Sequence, residues 1–156
     1  ALSDNGHEEE AFRLLMKDTA PSWLYQVRKG ATTTWEQWDV IQENGEIKEA
    51  SMNHYAYGAV GDFLYRRIGG LEPVLPGYRY FRAKPIPGGE LKSAAVRHVC
   101  PYGPIEVQWQ IRSEQFEMSV RVPFGTQAEM VLPDGSREKV SYGTHTRKCR
   151  FPVLPE

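Results

Sequence analysis

The sequence predicts an α+β fold, a helical piece over residues 1–72 followed by an antiparallel β-sandwich over residues 73–156. Three observations carry that reading. Of the 11 prolines, only Pro21 lies before residue 73. Proline interrupts helices and punctuates turns, so the chain changes character at Glu72-Pro73-Val74-Leu75-Pro76-Gly77. The hydrophobic period changes there too, from helical spacing to strict alternation. Charge follows a similar division: residues 1–78 hold seven Lys/Arg and twelve Asp/Glu, a net of −5, while residues 79–156 hold twelve and eight, a net of +4.

In the first piece, residues 7–17 carry Ala11, Leu14 and Leu15 at helical spacing, with Asn5-Gly6 as a start signal. Glu8, Glu9 and Glu10 occupy the first turn, where acidic side chains suit the positive end of the helix dipole. Asp18-Thr19-Ala20-Pro21-Ser22 breaks that helix. A short second helix is predicted over 22–29, closed by Gly30. Thr32-Thr33-Thr34 caps the next segment, and residues 42–49, around Asn44-Gly45, read as a polar turn. The longest helix is predicted over 53–69, with Tyr57, Val60, Leu64 and Ile68 on one stripe. Its two glycines, Gly58 and Gly61, each cost about 1 kcal/mol against alanine. Close packing of a neighbour, or room for a ligand beside His54, would account for them.

The second piece alternates. Ile105, Val107, Trp109 and Ile111 interleave with polar residues, as do Phe116, Met118, Val120 and Val122, and residues 112–115 join the two runs as a hairpin. Further strands are predicted over 80–84, 91–99, 128–132, 137–140 and 144–151, with Pro133-Asp134-Gly135-Ser136 as a strong turn. Short strands with frequent turns make a β-sandwich. Cys100 and Cys149 read as free buried thiols unless their strands are neighbours, and His98 and His145 as surface residues.

Composition excludes some functions. A net charge of −1 lacks the basic footprint of a nucleic-acid binder, so no nucleic-acid partner is expected. No apolar run reaches the roughly 18 residues of a membrane-spanning helix, so no membrane partner is expected either. No Cys/His cluster has metal-ligand spacing, and the expectation is of no metal and no cofactor.

One stretch stands apart, Gly30-Ala31-Thr32-Thr33-Thr34-Trp35-Glu36-Gln37-Trp38-Asp39. Indoles offer flat apolar platforms for the C–H faces of sugar rings, and they desolvate a nearby carboxylate. Glycoside cleavage needs two carboxyl groups, and in the inverting type one is the acid and the other activates water. Against that stands a structural reading: Thr34 as an N-cap, buried tryptophans, and Glu36 satisfying a first helical turn. Asp39 has the same two readings, the structural one favoured.

This stretch, with Met52-Asn53-His54-Tyr55-Ala56-Tyr57-Gly58-Ala59-Val60-Gly61-Asp62-Phe63-Leu64-Tyr65, closely resembles the bacterial α-L-rhamnosidases of glycoside hydrolase family 78. The resemblance continues through Pro76-Gly77-Tyr78, Lys84-Pro85-Ile86-Pro87-Gly88-Gly89, Pro101-Tyr102-Gly103 and Leu132-Pro133-Asp134-Gly135, in order and over nearly the whole chain. It implies the terminal helices of an (α/α)6 barrel ahead of a β-sandwich, and inverting hydrolysis of terminal α-L-rhamnosyl residues without an essential metal. By motif position, it implies that Glu36 is the general base, that His54 lines the rhamnose subsite, and that Trp35 and Trp38 are wall residues.

Two departures matter. The family's general acid lies in an Asp/Glu-rich motif far upstream, with no counterpart here, so the expectation is a C-terminal fragment that does not hydrolyse rhamnosides alone. Gln37 stands where the family often has Arg, at a position expected to be exposed. The partners implied are rhamnose-containing glycosides and an N-terminal part of the same enzyme. A helical piece this small cannot cover its own apolar faces, so self-association through residues 1–72 is also expected. The alternative is a stand-alone carbohydrate-binding or structural β-sandwich with the helices as packing; a third reading has a separate chain completing the barrel.

Overall fold

The computed structural model describes residues 2–151, and Ala1 and residues 152–156 lie outside the described set. It divides into two compact units, Ala1–Gly61 and Asp62–Glu156. In the first, a short 3-10 turn over Ser3–Asn5 ends on Gly6. Helix α1, Glu8–Met16, follows with its three glutamates in the first turn, as expected. It buries Ala11 and Phe12, but Leu14 of the expected stripe and Met16 are exposed. Helix α2, Trp23–Arg28, starts on Ser22, whose hydroxyl accepts the Tyr25 N–H at 3.0 Å, and Gly30 ends it with a left-handed φ of 86°.

Beyond α2 the chain departs from the expected helices. Residues 31–40 contain none, so Thr34 is not an N-cap. Its hydroxyl instead donates to the His54 carbonyl at 2.6 Å, so it serves a carbonyl rather than a helical N–H. The polar turn is present, closed by a bridge between Ile41 and Ile47. The helix expected over 53–69 begins only at α3, Val60–Phe63, and continues over Leu64–Ile68 as wider π-helical turns, with Gly69 N–H reaching the Leu64 carbonyl at 2.7 Å. Its first turns are absent because their polar groups are engaged elsewhere. The Thr34 hydroxyl takes the His54 carbonyl, the Trp23 indole takes that of Tyr57 at 3.0 Å, and the Ala56 N–H turns back to His54 Nδ1 at 3.1 Å.

The second unit is the sandwich. One sheet, ordered β3-β4-β5-β8, is antiparallel throughout: β3 Ser93–Cys100, β4 Gly103–Arg112, β5 Gln115–Val122 and β8 Gly143–Arg150. The other sheet, β1-β2-β6-β7, comprises Leu71–Pro73, Tyr80–Ala83, Gln127–Val131 and Arg137–Val140. Here β2 and β6 run parallel, the one exception among the described pairs to the antiparallel expectation. Strand β1 escaped prediction because it is three residues long and ends in proline. Alternation fills the core: Ile105, Val107, Trp109, Phe116, Met118 and Val120 meet Leu71, Phe81, Ala83, Ala128 and Met130, all essentially buried. The Trp109 indole donates to the Ile68 carbonyl at 2.7 Å. Gly70, at φ 79°, abuts Pro85 so closely that an added Cβ would sit 2.4 Å from the proline nitrogen, which excludes any side chain there.

Cys100 and Cys149 are free and buried. They lie on the opposite edges of one sheet with β4 and β5 between them, and strands spaced about 4.8 Å apart keep them out of disulfide reach. His98 and His145 are half-buried rather than open on the surface: His98 lies against the Tyr78 ring at 4.4 Å, and His145 Nε2 contacts the Ser141 carbonyl at 2.7 Å.

Candidate active site

The Trp-Glu-Gln-Trp loop is built on α2. Counting from the Ser22 cap, positions 25 and 26 fall on one helical face, and both Tyr25 and Gln26 are buried. A buried amide must find partners, and Gln26 finds them in the loop. Its Nε2 donates to the Gln37 carbonyl at 3.1 Å, and its Oε1 accepts the Trp35 N–H at 3.3 Å. The Tyr25 hydroxyl donates to the Ile41 carbonyl at 2.7 Å. The loop is therefore held from both ends by side chains of one short helix.

A second segment, residues 51–54, is laced to the same loop. Glu36 N–H donates to the Ser51 carbonyl at 2.9 Å, and Ser51 N–H donates back to Glu36 Oε2 at 2.8 Å. His54 N–H donates to the Thr34 carbonyl at 2.8 Å, while the Thr33 hydroxyl donates to the Met52 carbonyl. The two motifs that stand far apart in sequence thus form one element, with Glu36 and His54 fixed on paired backbones.

Aromatic and charged groups complete it. Trp38 stacks on Tyr57 at 3.7 Å between ring centroids and meets Trp23 edge-on at 5.1 Å. The His54 imidazole stacks on Tyr55 at 4.9 Å. Asp39 forms an ion pair with Lys48 at 2.8 Å, and the hydrogen bond from that ammonium holds its carboxyl below the usual range. Glu36 is exposed, Trp38 and His54 are half-buried, and Trp35 is 2% exposed, so Trp35 is packing beneath the loop. Gln37 is exposed, and its carbonyl rather than its side chain takes part. Among the described residues, no group of three His, Cys, Asp or Glu side chains converges as a metal site requires.

Sequence reasoning missed Gln26, Ser51 and Tyr57 as members of this site. Only the Ser22 cap, which sets the inward face of α2, signalled Gln26; hydropathy points to Val27 instead, which is exposed. Ser51 reaches Glu36 through its backbone, which any residue but proline supplies with an N–H, while its hydroxyl serves the local turn, accepting the Asn53 N–H at 3.2 Å and donating to the Asn53 carbonyl at 3.1 Å.

Residues 1–68 match the bacterial alpha-L-rhamnosidase 6 hairpin glycosidase domain, and residues 70–147 the bacterial alpha-L-rhamnosidase C-terminal domain. A curated alpha-L-rhamnosidase of Streptomyces avermitilis is 42% identical over 151 residues, which cover 94% of this chain and 15% of that protein. Among solved structures, the native enzyme of Aspergillus terreus has a TM-score of 0.91 at 39% identity, covering 96% of this chain and 18% of that one. The Streptomyces avermitilis alpha-L-rhamnosidase complexed with L-rhamnose has a TM-score of 0.90 at 38% identity, covering 96% and 17%. The chain spans about 15% of the length of the curated relatives it matches.

Proposed function

Because this chain belongs to the bacterial α-L-rhamnosidase family, we propose that it is the C-terminal part of an enzyme that hydrolyses terminal α-L-rhamnosyl residues with inversion. Its helices then belong to the six-hairpin barrel and its strands to the C-terminal sandwich, with the boundary between the domains just ahead of β1, near residue 69, rather than at residues 72 and 73, which would divide that strand. Glu36 is the general base. With Oε2 held on the Ser51 N–H, the remaining carboxylate oxygen takes the proton of a water attacking the anomeric carbon from the face opposite the leaving group. His54 and Trp38 line the rhamnose subsite, with Trp35 as buried support. The general acid comes from another part of the enzyme, so the 156-residue chain alone is inactive.

The observation that carries this reading is the pair of hydrogen bonds between Glu36 and Ser51, which presents an exposed carboxylate at a fixed place on the loop that also holds His54. A preorganised base of this kind suits water activation. Two measurements test it. Anomeric proton NMR on fresh hydrolysate of an aryl α-L-rhamnoside by the full-length enzyme is expected to show β-L-rhamnose first; an α-anomer first would overturn inversion. The 156-residue chain is expected to give no turnover, and turnover abolished by Glu36→Gln would overturn the division of acid and base between two parts of the enzyme.

A further inference from the structure

At one end of the sandwich, the loops after β5 and β7 raise two aromatic rings into solvent. Phe124 is 78% exposed and Tyr142 is 68% exposed, and the rings meet edge to face at 5.8 Å. Rings this open are unusual unless something covers them. The Phe124 loop is tied at its base: the buried Thr126 hydroxyl donates to the Pro123 carbonyl at 2.8 Å, and Gly125, at φ 79°, lies where an added Cβ would meet the Tyr102 ring at 3.6 Å. The Tyr142 loop is tied by the contact between His145 and the Ser141 carbonyl. The loops that carry the two rings are therefore tied down, and the rings touch each other.

Beside them opens a cavity of about 770 Å³ that Leu75, Arg79, Gln127 and Lys139 also line. Its charge is one-sided, since both ionic side chains in the lining are cations. Neither Arg79 nor Lys139 forms an ion pair with a described residue; the Lys139 ammonium lies 6.0 Å from the centre of the Tyr80 ring and feels the charge of Glu129, opposite it in the register, whose carboxylate Arg82 holds at 2.8 Å. An exposed aromatic face suits the C–H face of a pyranose, and cations that form no ion pair suit an anion on the same ring. A neutral sugar would leave the cations unused, and a purely apolar segment would bury them unpaired.

We propose that this cavity is a second saccharide subsite, distinct from the Glu36 loop, that takes a pyranose bearing a carboxylate or sulfate. The ring lies on the Phe124–Tyr142 edge and the anion engages Arg79 and Lys139. The site depends on charge complementarity and is independent of whether Glu36 is the catalytic base.

Titration of the 156-residue chain, followed by NMR chemical shifts, tests it with three probes: trigalacturonate, L-rhamnose sulfate and methyl α-L-rhamnoside. At least one anionic probe is expected to saturate and to bind about tenfold or more tightly than the neutral one, and which of them does so identifies the anion as carboxylate or sulfate. Phe124→Ala, and Arg79→Gln with Lys139→Gln, are each expected to weaken that probe about tenfold, the charge variant also removing most of its salt dependence. Tyr142→Ser gives an independent check should Phe124→Ala not fold. Equal affinity for charged and neutral probes, absence of saturation by both anions, or native affinity in the variants would overturn the proposal. So would loss of the site in the full-length enzyme, because protein would then be the occupant of this face.

Discussion

Glu36 and Ser51 hold each other twice, through Glu36 N–H to the Ser51 carbonyl at 2.9 Å and through Ser51 N–H to Glu36 Oε2 at 2.8 Å. The first bond fixes the backbone that carries the carboxylate, and the second fixes the carboxylate itself. In the full-length enzyme, Ser51→Pro removes the donor and is expected to lower kcat about tenfold or more with little change in KM. Ser51→Ala keeps the N–H and should stay within about threefold of native. Steady-state kinetics on an aryl α-L-rhamnoside distinguishes the two, and equal losses in both variants would argue against positioning by the N–H.

Gln26 is 2% exposed and satisfies both the Trp35 N–H and the Gln37 carbonyl. Gln26→Leu leaves two backbone groups without their partner, and each costs about 1–3 kcal/mol if no water replaces it. Urea denaturation followed by tryptophan fluorescence should show a lower midpoint and a loosened Trp-Glu-Gln-Trp loop.

Arg82 on β2 bridges the strands on either side, at 2.8 Å from Glu129 on β6 and 3.4 Å from Glu72 on β1. The hydrogen bond and charge of Arg82 hold the Glu129 carboxyl below its usual value of 4.5. A carboxyl whose folded pKa is depressed stabilises the fold fully above its unfolded value, and that contribution is lost as pH falls through the folded one. Thermal melts between pH 6 and roughly pH 3 should therefore fall more steeply for the native chain than for Glu129→Gln.

The first unit exposes Met16, Val27, Ile47, Met52 and Tyr55. Apolar side chains left in solvent favour association. Light scattering on the 156-residue chain should show mass rising with concentration, and Val27→Lys with Met52→Lys should reduce it. A clean monomer at high concentration would contradict this.

The sandwich was legible because its strands are half-buried, so alternation writes the inward face directly into the sequence. Trp109, Met118 and Val120 are examples. The parallel pairing of β2 with β6 was not, since no local pattern distinguishes a parallel from an antiparallel neighbour. The segment from Asn53 to Ala59 read as helix because its apolar spacing continues into α3. Tertiary bonds from Thr34 and Trp23 to its carbonyls decided otherwise. Glu36 and His54 were legible as motif positions, but Gln26, which ties the loop to α2, was hidden in a six-residue helix.

The most direct test compares aryl α-L-rhamnoside turnover by the full-length enzyme and by its Glu36→Gln variant. In its proposed role of general base, Glu36 contributes about 10²–10⁴-fold, so kcat is expected to fall by that factor while bound L-rhamnose still protects the enzyme from unfolding. A variant that folds, binds rhamnose and turns over at near-native kcat would contradict the assignment of Glu36 as the base.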